Sequence, residues 1–210
     1  VVIKEDYMAR FSSGRMNHVH VIMGSTCDED CLHETQDNDY ENYLENAKHY
    51  GKYEEEYKRV FPAENNEQAG RVISVERTAR TFAGMRLQAD FQQKQGMNAY
   101  LYSFTQNLPN ADGSLLGPFH SSELVYQFGT LYTGWRPWRE EDYAASERMM
   151  NYWANFVKNG DPNGEGLPKW EKHVPGDDQC MLLCADSKMG RVPHEEQVEF
   201  MTKCILEGVI

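Results

Sequence analysis

The spacing of apolar positions changes several times along the chain. Residues 19–23, Val-His-Val-Ile-Met, are rich in β-branched side chains and stop at Gly24-Ser25-Thr26, which predicts a buried strand ending in a turn. From Tyr40 onward Tyr43, Leu44, Ala47 and Tyr50 recur at helical spacing, and Tyr53, Tyr57 and Val60 continue the stripe, so one or two amphipathic helices are expected. Residues 68–95 read as a long helix with Val72, Val75, Ala79, Phe82, Ala83, Leu87 and Phe91 on one side; Arg71, Arg77, Arg80 and Arg86 around it offset neighbouring acids. Residues 98–104 alternate as a strand does, and a loop marked by Pro109, Gly113, Gly117 and Pro118 follows. Residues 140–158 form another amphipathic helix with Met149, Met150, Trp153, Phe156 and Val157 inward, stopped by Asn159-Gly160-Asp161-Pro162. A short strand at 181–184 and a closing helix at 195–206 complete the series. The alternation of strands and helices is that of the α/β class, and no internal repeat interrupts it.

Composition narrows the possible functions. A chain of 210 residues with 40% hydrophobic and 12% aromatic content has the means to build a core. Its net charge of −12 excludes a nucleic-acid binder, which needs basic surface, and disfavours anionic membranes. No apolar run approaches the roughly 18 residues a membrane span needs. Thirteen acids against four bases in residues 28–67 read as solvated helix faces, with an acidic partner-binding surface as the alternative. The odd number of cysteines (Cys27, Cys31, Cys180, Cys184, Cys204) is no disulfide scaffold and points to a reducing, cytoplasmic setting. The two Cys-x3-Cys pairs raise a four-thiolate metal site. One lies in an acidic run and the other in an apolar strand, so separate buried or half-buried thiols are the better reading and no metal is expected. Without G-x-G-x-x-G, P-loop or H-E-x-x-H, no cofactor is expected either. The chain opens on Val1 with no charged segment and apolar run behind it, so a piece of a longer polypeptide is expected.

Among seven histidines, His120 stands apart. It sits on a Gly-Pro loop after a strand and before an apolar segment, in Gly117-Pro118-Phe119-His120-Ser121-Ser122-Glu123-Leu124 with Phe128-Gly129 beyond. That block resembles the one bearing the catalytic histidine in the type-B carboxylesterases, the α/β-hydrolases that include cholinesterases and para-nitrobenzyl esterases. Val21-Ile22-Met23-Gly24-Ser25-Thr26-Cys27-Asp28-Glu29 is similar to the family's strand and turn bearing the triad acid, at Glu29. Asp30 departs from the glycine usual there. Trp153-Ala154-Asn155-Phe156 through Gly160-Asp161-Pro162-Asn163, with Trp170, resembles the family's helix and W-x-x-F-x-x-x-G-x-P-N tail. The likeness runs in order over nearly the whole chain. It implies the C-terminal part of an α/β-hydrolase fold over residues 1–210, a few sheet strands with flanking amphipathic helices.

The resemblance implies His120 as the general base and Glu29 as the acid that holds its tautomer, in the family's order of nucleophile, acid, histidine. Glu123 is then expected as a hydrogen-bonding acid behind them. No serine fits G-x-S-x-G: in Gly113-Ser114-Leu115-Leu116-Gly117 the serine comes one place early. The expectation is a C-terminal fragment of a serine carboxylic-ester hydrolase. It would act on a small-molecule ester only when completed, and would self-associate through an exposed sheet edge or pair with the missing N-terminal portion. The alternatives are a non-catalytic adhesion or binding member of the superfamily, or an acidic interaction module. Acyl and alcohol preference depends on pocket residues that lie mostly upstream.

Overall fold

In the computed structural model, residues 9–10, 13–30 and 39–210 are described. A four-stranded sheet in the order β1-β2-β5-β6 divides the helices into two layers. β1 (Val21–Thr26) runs parallel to β2 (Ala99–Phe104), with Val21 opposite Ala99 and Thr26 opposite Phe104. β2 runs parallel to β5 (Gln179–Leu183), and β6 (Lys188–Arg191) returns antiparallel to it. β2 is buried along its whole length, as a central strand covered on both faces must be.

The sequence misplaces the end of β1. Val19 is exposed, and the strand runs on through Gly24, Ser25 and Thr26 instead of turning there. The glycine serves close packing: a Cβ on Gly24 would lie 2.5 Å from ring carbons Cγ and Cδ1 of Tyr102 and closer still to the Tyr102 carbonyl oxygen. Gly24 is thus what lets the two parallel strands close up.

On one face, α1 (Tyr40–His49), α2 (Glu54–Val60), α3 (Asn66–Lys94) and α6 (Glu195–Leu206) pack on Ala99, Leu101 and Cys180. Asp39 and Asn65 start α1 and α3 as N-caps, their side chains accepting from Asn42 N–H and Gln68 N–H. Burying Ala47, Tyr50, Tyr57 and Phe61 aligns the aromatic stripe read from the sequence, and Phe200 of α6 packs into it. Beneath this stripe the Glu76 carboxyl accepts from Tyr50 Oη (2.6 Å), Tyr57 Oη (2.7 Å) and Asn46 Nδ2 (2.6 Å), three donors that offset its burial. Ile73, Ala79, Phe82, Ala83 and Leu87 form the buried side of α3, with Val72 and Val75 half-buried beside them. Of its arginines, Arg77 forms an ion pair with Asp30 and Arg86 donates to Thr202 Oγ1.

On the other face lie α4 (Leu124–Gln127) and α5 (Glu140–Asn159), packed on Tyr100, Tyr102, Phe104, Met181 and Leu183. The buried side of α5 is Asp142, Ala145, Ser146, Met149 and Tyr152. Met150 and Val157, expected inward, are exposed; they sit one residue past Met149 and Phe156, about 100° around the helix. Gly160, in the left-handed region at φ 70°, ends α5. Asn163 then holds the returning chain by pairing with the main chain of Trp170, which buries its ring against Tyr100 and Tyr152 and donates Nε1–H to Leu101 O. The tail motif is thus a clamp that fixes one tryptophan on the sheet. The loop expected after β2 contains a small hairpin, β3 (Leu108–Pro109) with β4 (Leu115–Leu116), which delivers the chain to Gly117.

Candidate active site

Glu29 follows β1 by three residues and His120 follows β4 by four. The fold brings these residues, 91 apart in sequence, into contact: His120 Nδ1 lies 2.7 Å from Glu29 Oε2. A second bond parallels the first, because the His120 backbone N–H donates to the Glu29 carbonyl oxygen at 3.0 Å. The histidine is therefore registered on the acid by main chain and side chain together.

Every member of the acid turn is held from outside it. Cys27 N–H donates to Phe104 O at 3.0 Å, which carries the β1–β2 pairing one residue past the strand. Thr26 N–H donates to Glu29 Oε1 at 2.8 Å, so one carboxylate oxygen is tied to the strand while the other meets the imidazole. Glu29 N–H donates to Thr78 Oγ1 on α3 at 3.0 Å, and Ser74 Oγ on the same helix donates to Asp28 Oδ1 at 3.3 Å. Ser74, Arg77 and Thr78 stand at i, i+3 and i+4 and so share one side of α3. The sequence reading missed this support. Its trace was the polar pair Ser74 and Thr78 four apart within an apolar stripe.

The two partners differ in exposure. The Glu29 side chain keeps 14% of its surface and that of His120 81%. The carboxylate is sheltered and hydrogen-bonded, whereas the imidazole reaches outward. Among the described residues no group bonds to His120 Nε2, the nitrogen opposite the acid. Ser121 follows with φ 67°, a left-handed residue that reverses the chain directly after the histidine.

Glu123 lies beside the pair, but among the described residues its buried Oε2 has no hydrogen-bond partner, nor do the buried hydroxyls of Thr26 and Ser122. Burial pushes the Glu123 carboxyl above the ordinary glutamate range, its own backbone N–H pulls the other way, and the charge of Glu29 adds to the rise. Tyr102 shares this neighbourhood: burial first, then the charges of Glu123 and Glu29, push its phenol up. Behind α4, Asp142 accepts from Tyr126 Oη (2.9 Å), Gln106 Nε2 (3.0 Å) and Arg139 Nε (2.9 Å), so the segment after His120 is pinned to α5.

Of the cysteines, Cys180 and Cys204 are buried, and burial pushes the Cys180 thiol up to about 12. Cys27 and Cys184 are half-buried, and Cys31 lies outside the described residues. Among the described residues no group of three or more His, Cys, Asp or Glu is placed to hold a metal ion, and no helix is long and apolar enough to cross a membrane.

Parallel strands β1, β2 and β5 between two helical layers, with the acid and the histidine on connections at one edge, are the layout of part of an α/β-hydrolase. The chain belongs to the carboxylesterase family, whose profile matches residues 7–201. Acylcarnitine hydrolase of Rattus norvegicus is 32% identical over 128 residues, 59% of this chain and 22% of that protein. Carboxylesterase 5A of Felis catus is 31% identical over 126 residues (56% and 23%), and cocaine esterase of Homo sapiens 33% over 115 residues (52% and 20%). The matched part spans about a fifth of the length of these relatives.

Proposed function

We propose that this chain is the C-terminal portion of a serine carboxylic-ester hydrolase and supplies its acid and its base. The observation that carries the reading is the 2.7 Å approach of His120 Nδ1 to a sheltered Glu29, with Nε2 left facing outward. Glu29 holds the proton on Nδ1, so that the Nε2 lone pair is free to take a hydroxyl proton. In the complete enzyme His120 Nε2 removes the proton of a serine as its oxygen attacks the ester carbonyl, then returns it to the leaving alcohol. Glu29 remains ionised and stabilises the imidazolium formed in between. Water, activated by the same nitrogen, then cleaves the acyl-enzyme. Glu123 adds a second, buried carboxyl behind the pair. The substrate class is a carboxylic ester.

The nucleophile is not in this chain, since no serine lies in a G-x-S-x-G turn. The chain alone is inactive, and a nucleophile-bearing segment joins it at β1, which stands at the sheet edge. Labelling the purified chain with a fluorophosphonate and reading intact mass tests this. The 24.3 kDa species is expected to carry no adduct. An adduct would show an activated serine within these 210 residues and overturn the assignment of the nucleophile to another segment.

A further inference from the structure

The acid–base reading leaves unused a cavity of about 280 Å³ on the side of the sheet that carries α3. Gln68, Arg71, Val72 and Val75 line it from one side; at i, i+3, i+4 and i+7 they form a single stripe along the first turns of α3. Val60 and Phe61, where α2 ends, and His194 and Gln197, where α6 starts, close it from the others. Val60 and Phe61 are buried, and Val72 and Val75 are half-buried, so the walls are largely hydrocarbon. Among the residues that line the cavity Arg71 carries the charge at neutral pH, because burial pushes the His194 imidazole below the ordinary histidine value.

Two polar side chains of the lining are already engaged. Gln197 Nε2 donates to Val60 O at 3.0 Å, and Gln68 Oε1 accepts from Glu64 N–H at 2.7 Å. Arg71 differs. Arg59, Arg77, Arg139 and Arg191 each pair with a carboxylate, and Arg86 donates to Thr202 Oγ1. Among the described residues Arg71 and Arg80 make no hydrogen bond or ion pair, and of these two Arg71 lines the cavity. The Asp28 carboxylate accepts from Ser74 Oγ, one turn beyond Arg71, and forms no ion pair with the arginine. With 33 acids against 21 bases in the chain, a guanidinium without a carboxylate beside an apolar cavity stands out. It offers a planar fork of N–H donors that fits a carboxylate at two points. A ligand that matches both features has one carboxylate and a hydrocarbon body. A sugar would set hydroxyls against the valines without partners, and a plain hydrocarbon would leave the arginine unused.

We propose that this cavity binds a small apolar carboxylate, with Arg71 holding the anion and Val60, Phe61, Val72 and Val75 receiving the hydrocarbon. Such a molecule is the acid half that cleavage of a carboxylic ester releases, so the cavity retains an acid product beside α3, the helix that grips the acid turn. The link to the product rests on the reading of Glu29 and His120 as the acid–base pair. The site itself does not, and binding is read without catalysis, so either can fail alone.

Titration of the full chain with phenylacetate, followed by proton–nitrogen NMR, tests the site. Saturable shifts are expected at the amides of Val60, Phe61, Val72, Val75 and Gln197, with a Kd of about 1 mM for a ligand of this size. Phenylacetamide, the same body without the charge, should bind about tenfold more weakly, and acetate, the charge without the body, should do the same. Arg71 is exposed, so Arg71→Gln leaves the core intact; it should weaken phenylacetate about tenfold and bind acid and amide alike. Arg80→Gln removes the other unpaired guanidinium from the same helix and should change neither affinity. Shifts that fail to saturate by about 10 mM, equal binding of phenylacetate and phenylacetamide by the unaltered chain, or an unchanged affinity in Arg71→Gln would each overturn the proposal. An equal loss in Arg80→Gln would show general attraction to positive charge in place of a site, and would overturn it as well.

Discussion

Gly24→Ala tests whether the parallel strand pair beneath the acid is as close as described. The new Cβ would stand 2.5 Å from Cγ and Cδ1 of Tyr102, about 1 Å inside an ordinary carbon–carbon contact of about 3.5 Å. The ring cannot withdraw, because it packs edge-on against Trp153 at 5.4 Å and Trp170 at 6.3 Å. The displacement therefore falls on the backbone. Opening β1 from β2 by about 1 Å would carry bonds such as Cys27 N–H to Phe104 O, now 3.0 Å, past the limit of about 3.5 Å. Overpacking costs about 1–3 kcal/mol and two lost ladder bonds about 1 kcal/mol each, giving about 3–5 kcal/mol. At about 2–4 °C per kcal/mol for a chain of this size, the melting temperature should fall by roughly 6–20 °C. Urea unfolding and circular-dichroism melting measure this directly. A variant within about 1 kcal/mol of the parent would show that the strands do not close on one another as described, and the account of Gly24 would be wrong.

Three other outcomes are expected. Glu76→Gln turns one acceptor oxygen into a donor opposite the hydroxyls of Tyr50 and Tyr57 or the amide of Asn46, and should cost about 2–3 kcal/mol in urea unfolding; an unchanged midpoint would refute the three-donor arrangement. Burial raises the Asp142 carboxyl, but bonds from the Arg139 side chain and backbone, then Tyr126 and Gln106, outweigh it and hold the group below its ordinary 3.8. A group depressed on folding stabilises above its unfolded value and loses that stability as pH falls through the folded one. Asp142→Asn should therefore flatten the loss of stability below about pH 4, and an unaltered acid limb would count against the network. Ser121, exposed and left-handed, should gain about 0.5–1 kcal/mol on replacement by Gly and lose about 2 kcal/mol on replacement by Val; calorimetry showing the reverse order would remove the backbone argument.

Elements with a sustained apolar period were legible in the sequence. The closing helix was read at its observed limits, and α3 to within two residues at its start, because two dozen residues of one period outweigh local ambiguity. Short elements were not. β6, Lys-Met-Gly-Arg, has neither alternation nor β-branched residues, and its existence depends on pairing with β5. Gly24 was taken as a turn because local propensity says nothing of a neighbouring strand 78 residues away in sequence. At the site, Glu29 and His120 were singled out by the motifs around them, and the structure sets them 2.7 Å apart. Thr78 and Ser74 could not be found in that way, since each reaches the turn across a long separation in sequence from an otherwise ordinary residue type.

The grip of α3 on the acid turn has a consequence for how this gene can change. Ser74, Arg77 and Thr78 reach the turn because they share one angular sector of a long helix. Substitutions elsewhere on the cylinder leave that sector where it is. One codon inserted or deleted between Asn66 and Ser74 would rotate everything beyond it by about 100°, sending all three side chains away from the turn of residues 28–30 at once while preserving the helix and the reading frame. Lineages descending from this sequence should vary at the exposed positions of the first two turns of α3 other than Arg71 and hold the number of residues fixed, and an alignment gap there would mark copies in which the helix no longer grips the turn.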